Sequence, residues 1–294
     1  MTEHSRDALP EEVRPESLRH VKTSGFDVIE QPLGNWERIW NQSVVRKAAL
    51  LIGLAVIWEV YARWLSNPLL FPTFTSTLGA GFRGIASGEL PGAALFTIQL
   101  LLKGYLVGLA LAIVLTAFAT ATRIGADLLE TLTSMFNPLP SIALLPVAMI
   151  WFGLGDGSVI FVLVHAVLWA VALNAYSGCR AVSPTLRMVG QNYGLSRLGY
   201  IGRILIPGAF PSILTGLKVG WAFAWRTLIA AELVFGVSSG SGGLGWYIFE
   251  RKNQLLIPNV FAGLLTVIVF GLLVENLVFK AVEQRTVGRW GMQS

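Results

Sequence analysis

Six stretches of the chain are apolar for long enough to be read as membrane-crossing helices: residues 48–65, 93–120, 128–152, 159–176, 214–235 and 259–279. A hydrocarbon core of about 30 Å takes about 20 helical residues. The third stretch is interrupted by Pro138, Pro140 and Pro146. A proline break survives in lipid only where neighbouring protein or a wet cavity satisfies the freed backbone groups, so this segment is expected to face the interior of a bundle.

Between the fourth and fifth stretches, residues 177–212 are too polar to span but rich in helix signals. Ser183 can cap a helix that has Pro184 at its first position, and Gly194 can close it in the left-handed conformation. Leu186, Val189, Gly190 and Tyr193 recur at helical spacing, predicting one apolar face. A second run starts at Ser196 and reaches Leu205 before Pro207. Together they form a helical elbow, for which a helix resting among lipid head groups is the bland alternative.

Composition supports a lipid environment. Of 294 residues 54% are apolar and 13% charged, whereas a soluble domain has about a quarter of its residues charged. The charges gather in the first 47 residues, the connections and the C-terminus. Residues 1–43 are polar and lack the apolar core of a cleavable signal, so they read as a cytoplasmic tail. Domain boundaries follow: the tail 1–43, the first helix and its outer connection 44–92, the core 93–280 with coupling helices at about 183–206, and a C-terminal tail 281–294.

The net charge of +5 comes with no basic stripe interleaved with aromatics, which argues against nucleic acid. The basic residues report topology instead. Arg46, Lys47, Arg123, Arg180, Arg187, Arg197, Arg203, Lys280, Arg285 and Arg289 fall on one side, against Arg63, Arg83, Arg251 and Lys252 on the other. Positive residues favour the cytoplasm, which places both termini inside. The expected fold is an all-α polytopic bundle of about six transmembrane helices.

Candidate chemistry is sparse. Cys179 stands alone, and no Cys/His cluster has metal-ligand spacing, so neither a disulfide nor a metal site is expected. Residues 240–245 satisfy G-x-G-x-x-G but follow a membrane helix rather than a strand, and read as an outer loop. No phosphate-binding G-x-x-x-x-G-K-[ST] occurs, so the chain is not expected to hydrolyse ATP. His165 is a lone intramembrane histidine, more often satisfied by a neighbour than a proton relay. Arg226 and Lys103 are costlier in lipid, at about 2.5–3.5 kcal/mol each on insertion scales. Arg226 is expected to line a pathway for an anion, with Lys103, Glu232, Pro140 and Pro146 as further candidates. Pairing of Arg226 with Glu232 or Glu59, or snorkelling to an interface, are the structural alternatives.

The elbow resembles the signature loop of binding-protein-dependent ABC importer permeases, written E-A-A, three residues, Gly, nine residues, I-x-L-P. Gly194 is followed after nine residues by Ile204-Leu205-Ile206-Pro207, and Gly194-Leu195-Ser196-Arg197 is similar to the family's G-A-S-R. The chain departs at the front, where Met188-Val189-Gly190 replace Glu-Ala-Ala. Phe71-Pro72-Thr73-Phe74, Trp151-Phe152-Gly153-Leu154-Gly155 and Ala231-Glu232-Leu233 resemble motifs of the nitrate, sulfonate and taurine branch.

This resemblance implies a type I importer permease of the bacterial inner membrane, paired as a homodimer. A cytoplasmic ATPase dimer, which uses ATP and Mg, would engage the elbow, and an extracytoplasmic binding protein would deliver the solute. The coupling residues it implies are Leu186, Met188, Val189, Gly190, Tyr193, Gly194, Leu195, Ser196, Arg197, Ile204 and Pro207. No cofactor is expected on this chain. An ion-driven secondary transporter is the competing reading, but it should show broken helices in both halves, and only one is legible.

Overall fold

The structure is a computed structural model that describes residues 40–235 and 242–286. The chain divides into two units, residues 1–53 and 54–294. The described part of the first, residues 40–53, opens helix α1 (Ser43–Leu65), and there the Arg46 guanidinium donates to the carbonyls of Trp40 and Asn41, both at 2.9 Å.

The second unit continues α1 and is built from helices alone among the described residues. In order they are α2 (Phe74–Ala86), α3 (Glu89–Ala121), α4 (Arg123–Phe136), a 3₁₀ turn (Ser141–Leu144), α5 (Leu145–Phe152), α6 (Asp156–Ala181), α7 (Pro184–Asn192) and α8 (Arg197–Tyr200). A π turn (Ile201–Leu205) leads into α9 (Ile206–Phe235), then come α10 (Leu244–Asn253), α11 (Ile257–Leu273), a second π turn (Val274–Phe279) and α12 (Lys280–Arg285).

Four continuous helices, Glu89–Ala121, Asp156–Ala181, Arg197–Val234 and Ile257–Arg285, are long and apolar enough to cross a membrane. A fifth crossing results if α4 and the Ser141–Phe152 segment, bent by 88° relative to each other, count as one. This is the proline-broken stretch anticipated from the sequence. Helix α1 occupies the first predicted stretch with 23 residues, but it carries Arg46, Lys47, Glu59 and Arg63 and is not among these four.

Helix α6 lies between α3 and α9 and packs against both. Small residues allow the approach: a Cβ placed on Gly104 would lie 2.6 Å from Leu163 Cβ, and one on Gly108 would lie 2.8 Å from Val167 Cβ. In lipid, helices gain little from apolar burial, so close van der Waals contact along such small-residue faces is what holds them together. Leu101, Leu163, Val167, Ala224 and Leu228 form the buried centre of this contact. Leu264, Ile268, Leu272 and Leu277 of the last long helix stay exposed, as a lipid-facing surface should.

One expectation fails. The second elbow run does not stop before Pro207 but continues through Pro207 and Pro211 as a single helix of 38 residues. A proline ring clashes with the carbonyl four residues back and lacks an N–H to bond it. The π turn relieves the first clash by widening the helix just before Pro207: the Ile206 N–H bonds the Ile201 carbonyl, five residues back. The Pro211 carbonyl is still used, accepting from Thr215 Oγ1 at 3.0 Å.

Candidate functional site

The elbow forms largely as its local chemistry dictates. The Ser183 hydroxyl accepts from the Leu186 N–H at 3.4 Å, with Pro184 at the first helical position of α7. The helix ends in a Schellman turn: the Gly194 N–H donates to the Gln191 carbonyl and the Leu195 N–H to the Gly190 carbonyl, at 2.9 and 3.0 Å. Gly194 sits at φ +63°, where an L side chain is strained. Ser196 caps the second run by accepting from the Gly199 N–H.

The predicted apolar face is split. Gly190 is buried, and a Cβ there would lie 2.9 Å from Ile204 Cδ1 and 3.0 Å from a Tyr200 ring carbon. Its smallness therefore lets the two arms of the elbow pack on each other. Leu186, Met188, Val189 and Tyr193 are exposed, Tyr193 at 81%, and so is Leu198 of the second arm. Leu195 and Ile204 are half-buried, Ser196 and Arg197 exposed, and Pro207 lies within the long helix.

A second site lies at the bend of the broken helix. Pro138, Pro140 and Ser141 line a cavity of about 380 Å³ together with His165 and Trp169 of α6 and Arg226 of α9. His165 Nδ1 shares a 3.1 Å hydrogen bond with the Ser141 hydroxyl, while Nε2 is buried without a partner. Trp169, 8% exposed, stacks on Phe136 with ring centroids 5.4 Å apart, and its indole N–H also has no acceptor. Among the described residues Arg226 makes no ion pair. Glu59, one of its suggested partners, instead pairs with Arg63 at 2.7 Å and accepts from Thr75 at the start of α2. Trp169 was not singled out in the sequence, although it lies four residues after His165 and therefore on the same helix face.

The remaining pathway candidates do not join this cavity. Pro146 is exposed at the start of α5 and outside the lining. Lys103 lies 3.7 Å from Asp156 at the first turn of α6. Glu232 is 5% exposed and serves as a tie: its carboxylate accepts from Thr97 Oγ1 at 2.9 and 3.0 Å and from the Gly245 N–H at 2.8 Å. Thr97 Oγ1 in turn accepts from the Leu244 N–H at 2.8 Å. The carboxylate thus caps the N-terminus of α10 from another helix, where the helix dipole favours negative charge.

Of the glycine-rich run expected to be a loose outer loop, Gly240 and Ser241 lie outside the described residues. Gly243, Leu244 and Gly245 are not loose. A Cβ on Gly243 would run into the Glu232 carboxylate, and one on Gly245 would lie 2.6 Å from the Ile229 carbonyl oxygen. The glycines let α10 reach the tie, a structural use for what looks like a nucleotide motif.

Apolar helices packed through small residues, a proline-broken segment and an exposed helical elbow define a polytopic helical membrane protein. Residues 104–288 match the family of binding-protein-dependent transport system inner membrane components, and the chain belongs to that family. It is 30% identical over 272 residues to the taurine transport system permease protein of Escherichia coli, covering 88% of this chain and 96% of that one. It is 26% identical over 247 residues to the nitrate import permease protein of a Synechocystis species, covering 82% and 88% respectively. Its relatives thus fall in the nitrate, sulfonate and taurine branch. The matched region contains both the elbow and the broken helix.

Proposed function

We propose that the chain forms, in two copies, the translocation pathway of an inner-membrane importer for a small solute that carries an anionic group, such as nitrate, taurine or an alkanesulfonate. An extracytoplasmic binding protein delivers the solute, and a separate dimeric ATPase, which holds the ATP and Mg, drives transport through the elbow. In this reading α1 and the broken segment complete six crossings, and both termini face the cytoplasm.

The observation that carries the proposal is the elbow. A rigid helical turn, fixed by the Schellman closure at Gly194 and the packing of Gly190 on Tyr200 and Ile204, presents Leu186, Met188, Val189, Tyr193 and Leu198 without cover from the described chain. Exposed apolar side chains on a short polar connection mark a contact surface. The elbow's second arm is continuous with α9 through the π turn, so a push on the elbow moves a helix that lines the Arg226 cavity. Two packings of α9 against α6 are then what an ATPase cycle would select between. The family membership and the solutes in its relatives' names, taurine and nitrate, support the solute class.

The test is uptake by proteoliposomes containing the chain, its ATPase and its binding protein. ATP-dependent accumulation of taurine or nitrate, absent when the ATPase is omitted, is expected. Uptake by the chain alone, driven by an ion gradient, would refute the reading.

A further inference from the structure

A second cavity, of about 870 Å³, lies between α3, α6, the elbow and the start of α9. Its walls divide by chemistry. At the elbow end stand Arg180, Arg187 and Arg197, and no carboxylate is among the lining residues. Deeper in, the walls are Leu109 and Ile113 of α3, Val171 and Ala175 of α6, and Ile213 and Leu217 of α9. The two threonines on the α3 wall keep their hydroxyls for helix carbonyls: Thr116 Oγ1 donates to Ala172, and Thr120 Oγ1 to Thr116. The depth of the groove therefore offers a guest almost nothing polar.

Its length is that of one leaflet. The lining runs from Leu109 to Ala121 on α3 and from Val171 to Arg180 on α6, about 18 and about 14 Å at 1.5 Å per residue. Half of a hydrocarbon core of about 30 Å is about 15 Å, so the arginines stand at head-group level and the apolar walls at the level of the tails. Arg187 and Arg197 make no ion pair among the described residues. Arg180 reaches Glu130 at 3.3 Å, but the two side chains are 66% and 60% exposed, and such a surface pair holds an arginine only weakly. The face of α7 that lines the groove, Arg187, Gly190 and Gln191, is not the one that exposes Leu186, Val189 and Tyr193. At about 100° per residue the two faces are roughly a third of a turn apart.

We propose that this groove binds one anionic glycerophospholipid, its phosphate on Arg180, Arg187 and Arg197 and an acyl chain along the walls of α3 and α9. Arginine forks match phosphate oxygens, and basic pockets between transmembrane helices at head-group level are the general form of such sites. A soluble anion would find the same guanidiniums but would leave the walls below them to water, which gains nothing there, whereas a tail fills them. A zwitterionic lipid brings an ammonium that meets three cations and no carboxylate. The site needs a bilayer but neither an ATPase nor transport, so its failure would leave the importer reading untouched.

The full-length chain in maltoside detergent is titrated with dioleoyl phosphatidylglycerol, or with phosphatidylcholine of the same tails, and bound lipid is counted by native mass spectrometry. Phosphatidylglycerol should saturate at one per chain, and phosphatidylcholine should need about tenfold more or beyond. Arg180→Gln and Arg187→Gln should each raise the midpoint by about fivefold, the usual share of one basic residue at an anionic surface. Arg123→Gln, at an exposed arginine just after α3 but outside the lining, should not move it. Ala117→Trp fills the groove from an exposed position on α3 and keeps every arginine, so it should abolish saturable binding. Helical circular dichroism checks that each variant is folded; should Ala117→Trp fail that check, the two arginine variants on the exposed rim decide. Equal affinity for phosphatidylcholine, binding without saturation, indifference to both arginine variants or to a folded Ala117→Trp, or the same loss in Arg123→Gln overturns the proposal. So does displacement, at matched ionic strength, by glycerophosphoglycerol or nitrate, which would make the groove a vestibule for soluble anions, or displacement by the docked ATPase, which would give the groove to that partner.

Discussion

Replacing Glu232 by alanine should loosen the junction between α3, α9 and α10. The side chain accepts from the Thr97 hydroxyl and the Gly245 N–H, both buried. Each donor left without a partner costs about 1–3 kcal/mol, so the loss should be about 2–6 kcal/mol. Glu232→Gln should fall between, because its amide oxygen still accepts one bond while its NH₂ is set against a donor. Thr97→Val breaks the same chain at the link that receives the Leu244 N–H. The two residues act as a unit, so the double variant should be destabilised by less than the sum of the singles, with a coupling of about 0.5–3 kcal/mol. Unfolding of the purified chain in detergent, followed by helical circular dichroism, measures all four. Additive losses, or an alanine variant as stable as the parent, would show that the tie does not hold the junction.

Three further outcomes follow from the same reasoning. Gly194→Val should lose about 1–2 kcal/mol of elbow stability because of its positive φ and reduce ATPase copurification, whereas Gly194→Asn, which tolerates that backbone, should copurify nearly as the parent does. No atom lies within 4 Å of the missing Cβ, so equal loss in both variants would point to something other than backbone strain. Lys103→Leu should leave Asp156 unpaired and lower the membrane-inserted yield, and adding Asp156→Asn should restore it; no rescue would mean that the 3.7 Å pair is incidental. Gly108→Leu should separate α3 from α6 and lower detergent stability by about 1–3 kcal/mol, checked against Gly92→Leu, where a Cβ meets nothing within 4 Å.

What was legible in the sequence was local. Ser183, Pro184 and Gly194 announce the elbow because capping and left-handed closure depend on residues within one or two turns. Pro138, Pro140 and Pro146 announce the break for the same reason. Passage of the helix through Pro207 and Pro211 was not legible: proline ends helices in general, and the π turn that accommodates it has no residue signature of its own.

The Glu232 tie was hidden more deeply. Thr97 and Glu232 are 135 residues apart, and a lone threonine in an apolar run looks like any other. Gly190 could be placed on an apolar helix face from its spacing, but not as the contact between two arms, since that depends on where Tyr200 and Ile204 return. Arg226 was legible as a cost that needs a reason. The companion it shares a cavity with, Trp169, was masked by the many aromatics of the chain.

The account depends most on the elbow being a cytoplasmic docking surface. Tyr193→Cys in a Cys179→Ser background gives a single thiol at its exposed tip, and a membrane-impermeant maleimide reports which face carries it. Labelling in inside-out vesicles but not in intact cells, with protection when the ATPase is bound, is the result predicted; labelling from outside, or labelling undiminished by the bound ATPase, would contradict it.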